Sequence, residues 1–90
     1  MGKEVVLFQS EEKQSRQNVA SFLRDLADKV EQKQVVLQKG TESVTLDIPA
    51  NVTLEVKAEE EDKKGKTQRS LEVEIEWYLG QEEEGSLTLG

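Results

Sequence analysis

The chain contains no cysteine and no histidine. Without cysteine there is no disulfide, no thiolate zinc or iron–sulfur ligand and no thiol nucleophile. Without histidine the commonest general base and the usual transition-metal ligand are missing too. Gly40, Gly65 and Gly80 are isolated, so no glycine-rich loop can cradle a phosphate. No apolar run approaches the roughly 18 residues of a membrane span, and the start Met1-Gly2-Lys3-Glu4 lacks the apolar core of a signal peptide. Gly2 follows the initiator Met, but Val6 stands where N-myristoylation needs Ser or Thr. A cytoplasmic location is the expectation. Basic residues are in deficit, 12 against 19 acidic, and the net charge of −7 has the wrong sign for nucleic acid or an anionic membrane.

Ninety residues make one domain, and with 34% hydrophobic and 34% charged residues its core must come from strict patterning. Glu4 to Gln9 (EVVLFQ) reads as a short first strand, apolar on both faces. From Ser15 to about Gln32 the period becomes helical: Val19, Phe22, Leu23, Leu26, Ala27 and Val30 form one stripe. Ser15 is the expected N-cap, with Ser10 as an alternative start. The opposite face carries Arg16, Arg24, Asp25, Asp28, Lys29 and Glu31, whose charges cancel, so it is a solvated face rather than a membrane-binding one.

Gln34 to Gln38 and Ser43 to Ile48 read as two strands joined through Gly40, which can take the positive φ of a short hairpin turn. Pro49-Ala50-Asn51 reads as a second hairpin loop, setting Ile48 beside Val52, Leu46 beside Leu54 and Val44 beside Val56. Val52 to Glu60 and Ser70 to Leu79 alternate, while Glu60 to Gln68 is polar enough to read as a mobile hairpin tip. Strands with one apolar and one polar face belong to an antiparallel sheet covered on one side. The expected fold is therefore α+β, one amphipathic helix on a mainly antiparallel sheet of about five strands in the order β-α-β-β-β-β. The domain spans 1–79, and 80–90 is expected to be a disordered acidic tail. The expected core is Val19, Phe22, Leu23, Leu26, Val30, Leu46, Leu54, Val56, Val73, Ile75 and Trp77. On this reading Leu26→Ala costs about 2–5 kcal/mol and Phe22→Ala about 3–5 kcal/mol.

The order of these features resembles a known family. An apolar strand precedes Lys13-Gln14-Ser15-Arg16, the helix carries Phe22-Leu23-Arg24-Asp25-Leu26-Ala27-Asp28-Lys29, two strands follow to Asp47-Ile48-Pro49, and a late strand ends in Glu74-Ile75-Glu76-Trp77. From about Glu4 to Leu79 this is similar to the amphi-Trp domain family, small bacterial and archaeal proteins with an amphipathic helix and a late tryptophan. Such proteins more often carry a glycine just after the helix, where this chain has Gln32-Lys33. The resemblance implies the fold and no particular activity.

The candidate surface is the polar side of the last two strands. If Val56 faces Val73, then Lys57 lies opposite Glu72 and Glu55 opposite Glu74, and directly opposed like charges cost stability. Glu55, Lys57, Glu72, Glu74, Glu76 and Tyr78 form this face, and Phe8 on the first strand is a further contact candidate. Glu59-Glu60-Glu61-Asp62 lacks the ligand spacing and turn glycine of a calcium loop, so no metal is expected. Lys63, Lys64, Lys66 and Arg69 lack an interleaved aromatic platform for nucleic acid. Two carboxylates can hydrolyse a glycoside only in a cleft that raises one pKa, and one helix on an open sheet offers none. The expected function is a non-catalytic module, needing no cofactor, that binds a protein partner or itself through the acidic face or an edge strand. A weak homodimer that strengthens with salt is the expected self-contact. The alternative is an enzyme, small-ligand or cation binder using clustered carboxylates.

Overall fold

A computed structural model describes residues 2–80. The chain forms two compact units, Met1–Ile48 and Pro49–Gly90. Its elements are helix α1 (Arg16–Glu31) and strands β1 (Gln34–Lys39), β2 (Glu42–Asp47), β3 (Thr53–Lys63) and β4 (Lys66–Glu76). The class is α+β, with four antiparallel strands in two two-stranded sheets, β1–β2 and β3–β4, rather than five strands in one sheet. Among the described residues no helix is long and apolar enough to cross a membrane.

In the first unit, Ser15 is the N-cap: its Oγ accepts the Asn18 backbone N–H at 3.0 Å, which satisfies one of the free donors of the first turn. The helix stops at Gln32, whose N–H bonds the Asp28 carbonyl. Lys33 then turns left-handed at φ 74°, donating to the Val30 carbonyl at 3.0 Å. This is the position that glycine favours after a helix, so the Gln32-Lys33 departure is a lysine held in a glycine conformation. The Lys33 carbonyl accepts the Ile48 N–H at 2.8 Å, which ties the helix end to the far end of the hairpin.

The β1–β2 hairpin turns through Gly40 and Thr41, with Gly40 at φ 60°. Glycine first in a two-residue turn is the type II′ arrangement, whose twist matches that of the strands. The register pairs Val35 with Leu46 and Leu37 with Val44, placing these four on one face. Helix α1 contacts β1. Leu26 and Val30 on the helix are half-buried, as are Leu37, Val44 and Leu46, while Val35 is buried with 6% of its surface exposed. Val35 is the sole buried hydrophobic among the described residues. Phe22 is 55% exposed and Val19 and Leu23 are near half, so the stripe has more width than the hairpin covers. Phe22→Ala therefore costs less than a core phenylalanine would.

Two strand expectations fail. Glu4 to Gln9 is not a strand: no ladder reaches it, and Val5 and Val6 are each 72% exposed. Apolar β-branched residues favour strands only when a neighbouring strand supplies the hydrogen bonds. The Pro49 segment is not a hairpin either, since β2 pairs with β1 and β3 with β4. Pro49 has no N–H to extend a ladder, and the pairings that do form are each closed by a two-residue turn.

In the second unit, β3 and β4 form a ribbon closed by Lys64 and Gly65 at φ 50° and 78°. Two positive-φ residues make the type I′ hairpin turn. The ladder runs without a break from Thr53–Glu76 to Lys63–Lys66. Thus the polar stretch Glu60 to Gln68, expected to be a loose tip, is regular strand closed by a tight turn. Pairs such as Arg69–Glu60, at 2.8 Å, and Thr67–Asp62, at 2.9 Å, bridge the two strands there. The tail expected over residues 80–90 lies outside the described residues except for Gly80.

Three substitutions probe this layout. Ser15→Ala is expected to lose about 1 kcal/mol through the missing cap, and Val35→Ala about 2–3 kcal/mol through lost burial. Lys33→Gly is expected to gain about 1 kcal/mol by relieving the left-handed backbone. Chemical denaturation of the three variants measures all of these, and a destabilised Lys33→Gly contradicts the helix end described above.

Candidate functional site

Strand alternation sorts the ribbon into two faces. Leu54–Ile75, Val56–Val73 and Ala58–Leu71 are opposed pairs on one face, continued by Glu60–Arg69 and Asp62–Thr67. Thr53–Glu76, Glu55–Glu74, Lys57–Glu72, Glu59–Ser70 and Glu61–Gln68 are opposed pairs on the other. The expected pairing of Lys57 with Glu72 and Glu55 with Glu74 is therefore present.

On the acidic face, Lys57 Nζ lies 3.3 Å from Glu72 and 3.8 Å from Glu59. The hydrogen bond to Glu72, then the charge of Glu59, raises the lysine pKa. The next pair has no cation. Glu55, Glu74 and Glu76 bring one carboxylate oxygen each to within 4.8 Å of one another, all exposed. The Glu74 pKa is raised, first by a hydrogen bond shared with Glu55 and then by repulsion from Glu76. Three oxygens at that spacing could share a hard cation. Solvent reaches them all and nothing encloses them, and carboxylates on an acidic surface approach this closely without an ion.

The apolar face is the less expected feature. Leu54, Val56, Leu71 and Val73 are 64%, 61%, 73% and 60% exposed, and Ile75 alone of the set is half-buried. Leu54, Val56 and Val73 were expected in a core, and here they are surface. Alternation correctly places them together but is silent on what covers them. Trp77 is half-buried just past the end of β4, beside Thr53, Glu76 and Tyr78 around a shallow hollow of about 310 Å³. Tyr78 is 78% exposed and beyond the strand, so strand parity does not place it among the glutamates.

Within the first unit, a groove of about 530 Å³ runs between Phe8, Phe22 and Val36, with Glu12 and Lys39 at its rim. Lys39 Nζ lies 3.4 Å from both Glu12 and Ser10. Glu12 has its pKa lowered by the Gln14 hydrogen bond and then by Lys39. Phe8 is half-buried here, so the contact candidate of the first segment is partly engaged by its own unit. The groove draws on three separate segments, and no spacing in the sequence signals it.

The helix, the hairpins and the late tryptophan now stand in the order of one family, and its model matches residues 1–90. The chain belongs to the Amphi-Trp domain family. No curated protein matches it, and no solved structure does. Function in this Amphi-Trp domain has therefore to be argued from its own surfaces.

Because the Glu74 carboxyl holds a proton more tightly folded than unfolded, folding takes up a proton in the window between its ordinary pKa and the raised one. The ribbon is expected to be most stable below that window and to lose stability as pH rises through it. The single tryptophan, at the end of β4, reports the melt. Melting temperature is expected to fall as pH rises from the ordinary glutamate pKa through the raised one, and to fall less in Glu74→Gln, which also starts higher at neutral pH. Identical pH slopes in the two proteins contradict the shared-proton pair.

Proposed function

We propose that this Amphi-Trp domain is a non-catalytic interaction module whose binding surface is the apolar face of the β3–β4 ribbon. The observation that carries it is the exposed block of Leu54, Val56, Leu71 and Val73 on one side of a regular two-stranded ladder. A contiguous exposed apolar patch with a charged reverse side is a mark of a docking surface. An isolated two-stranded hairpin is also marginal in water, and packing of its apolar face is what makes it stable. Binding and folding of the ribbon are then one event, which suits an interaction module and not a catalyst, whose site must stay rigid when empty.

The acidic face takes a secondary part in this reading. Its glutamates keep the reverse of the ribbon in water and discourage stacking in the wrong sense. The alternative, a site for a cation or a small ligand, draws on the closeness of Glu55, Glu74 and Glu76. It is the weaker reading, because an exposed carboxylate group supplies neither a cleft nor a dry environment for chemistry.

Photo-crosslinking discriminates between the two faces. A benzophenone side chain at position 73 is expected to capture protein in the cells that make the chain, and the same group at position 74 to capture little. No adduct at 73 above that at 74 overturns the proposal.

A further inference from the structure

We infer that residues 8–14 are a strap clasped by Glu12, which holds Phe8 over the groove of the first unit and bares that groove when its charge is screened or lost. This device lies wholly in the first unit and is independent of the ribbon face. The two ends of α1 are fastened differently. At its C-terminal end the fastening is a backbone bond, from the Ile48 N–H to the Lys33 carbonyl at 2.8 Å. Among the described residues no backbone–backbone hydrogen bond ties residues 2–14 to the helix or to a strand. Side chains alone make that connection, and Glu12 stands at its centre. One of its oxygens accepts Gln14 Nε2 at 2.6 Å, and the other lies 3.4 Å from Lys39 Nζ. Gln14 Oε1 in turn accepts Asn18 Nδ2, in the first turn of α1, at 2.9 Å. The ammonium of Lys39, the last residue of β1, also donates to Ser10 Oγ at 3.4 Å. A single carboxylate thereby links the start of the helix to the end of β1, with the strap between them.

What the clasp holds is Phe8, the one residue of 2–14 that is not exposed. It lines the groove with Phe22, Val36 and Leu37, while Val5, Val6 and Leu7 before it stand in solvent. One half-buried ring is little apolar area to offset the ordering of a segment without ladder bonds. Exposed ion pairs add little, and salt screens them. The closed strap is therefore held by a narrow margin, and the charge on Glu12 shifts the population between closed and open. The charged group that reaches Glu12 is Lys39, from β1; the helix presents the neutral Asn18, and the strap the neutral Ser10 and Gln14. Gln14 and then Lys39 hold the Glu12 carboxyl below its ordinary pKa. The clasp is thus intact at neutral pH and is lost as pH falls through that lowered value. Once Phe8 leaves, Phe22 and Val36, already 55% and 49% exposed, become one open apolar wall.

Fluorine NMR of the whole chain tests the clasp, because its two phenylalanines, Phe8 and Phe22, both line the groove. Labelling with para-fluorophenylalanine gives one signal for each, and Phe8→Leu assigns them. At neutral pH and low salt the Phe8 signal is expected to stand apart from its position in the denatured chain. Glu12→Gln and, separately, Lys39→Met are expected to move it most of the way to that position. Helical circular dichroism stays unchanged, since Ser15 still caps α1. Relaxation of the Phe22 signal by a soluble nitroxide is expected to rise several-fold in step. In the unsubstituted chain, salt raised from about 0.01 M to 1 M, which shortens the Debye length from about 30 Å to 3 Å, is expected to move the Phe8 signal the same way. Acid is expected to do so too, and neither treatment has much further effect in Glu12→Gln. A Phe8 signal that keeps its place in both variants and at high salt overturns the clasp. One that already sits at the denatured position in the unsubstituted chain overturns the closed strap. Should a variant lose its helix, the salt titration of the unsubstituted chain decides.

Discussion

The two tight turns at Gly40–Thr41 and Lys64–Gly65 set the registers from which the other features of both hairpins follow. Side chains alternate with a period of two, so a slip of one residue would move every apolar side chain to the opposite face. In β1–β2 the register gathers Val35, Leu37, Val44 and Leu46 on one face, and the helix contacts β1. In β3–β4 it gathers Leu54, Val56, Ala58, Leu71, Val73 and Ile75 on one side and crowds Glu55 against Glu74 on the other. Gly65 makes the second turn accessible, and Lys64 accepts a left-handed backbone beside it. The apolar patch and the acidic cluster are thus two results of one register.

The units manage their apolar surface differently. In the first, helix and hairpin bury Val35 and half-bury a ring of residues about it, and the Ser15 cap and Lys33 junction fix both helix ends. In the second, the ribbon has no helix of its own, and its stability rests on the ladder, cross-strand pairs and whatever covers its apolar face. Exposed ion pairs such as Lys57–Glu72 support register more than stability, because water and salt screen them. A surface that needs cover in order to be stable is a natural seat for binding.

Family membership and surface chemistry answer separate questions here. The Amphi-Trp match places the whole chain in a fold family, yet a fold hosts many functions and the site has to be argued from its residues. Cysteine and histidine are absent from the composition, and among the described residues the carboxylates stand in open solvent. The apolar ribbon face is the feature that solvation leaves unexplained.

Much of this was legible in the sequence. The 3.6-residue stripe and Ser15 announce the helix, because periodicity and capping act locally. Alternation along Val52 to Glu60 and Ser70 to Leu79 announces two strands, and it correctly opposes Glu55 to Glu74. The reach of the ribbon was less legible: a polar composition over Glu60 to Gln68 disguised a ladder held by backbone bonds. Pairing was harder still. Whether β2 bonds to β3 as well as to β1 is not settled by one segment, and local turn chemistry at Pro49 pointed to a pairing that did not form. The same holds for Glu4 to Gln9, whose residues suit a strand that no neighbour completes. Sequence by itself determined which residues share a face, since parity and helical period are properties of one segment. Only the tertiary structure decided which faces are covered, since cover is supplied by other segments and no single segment encodes it.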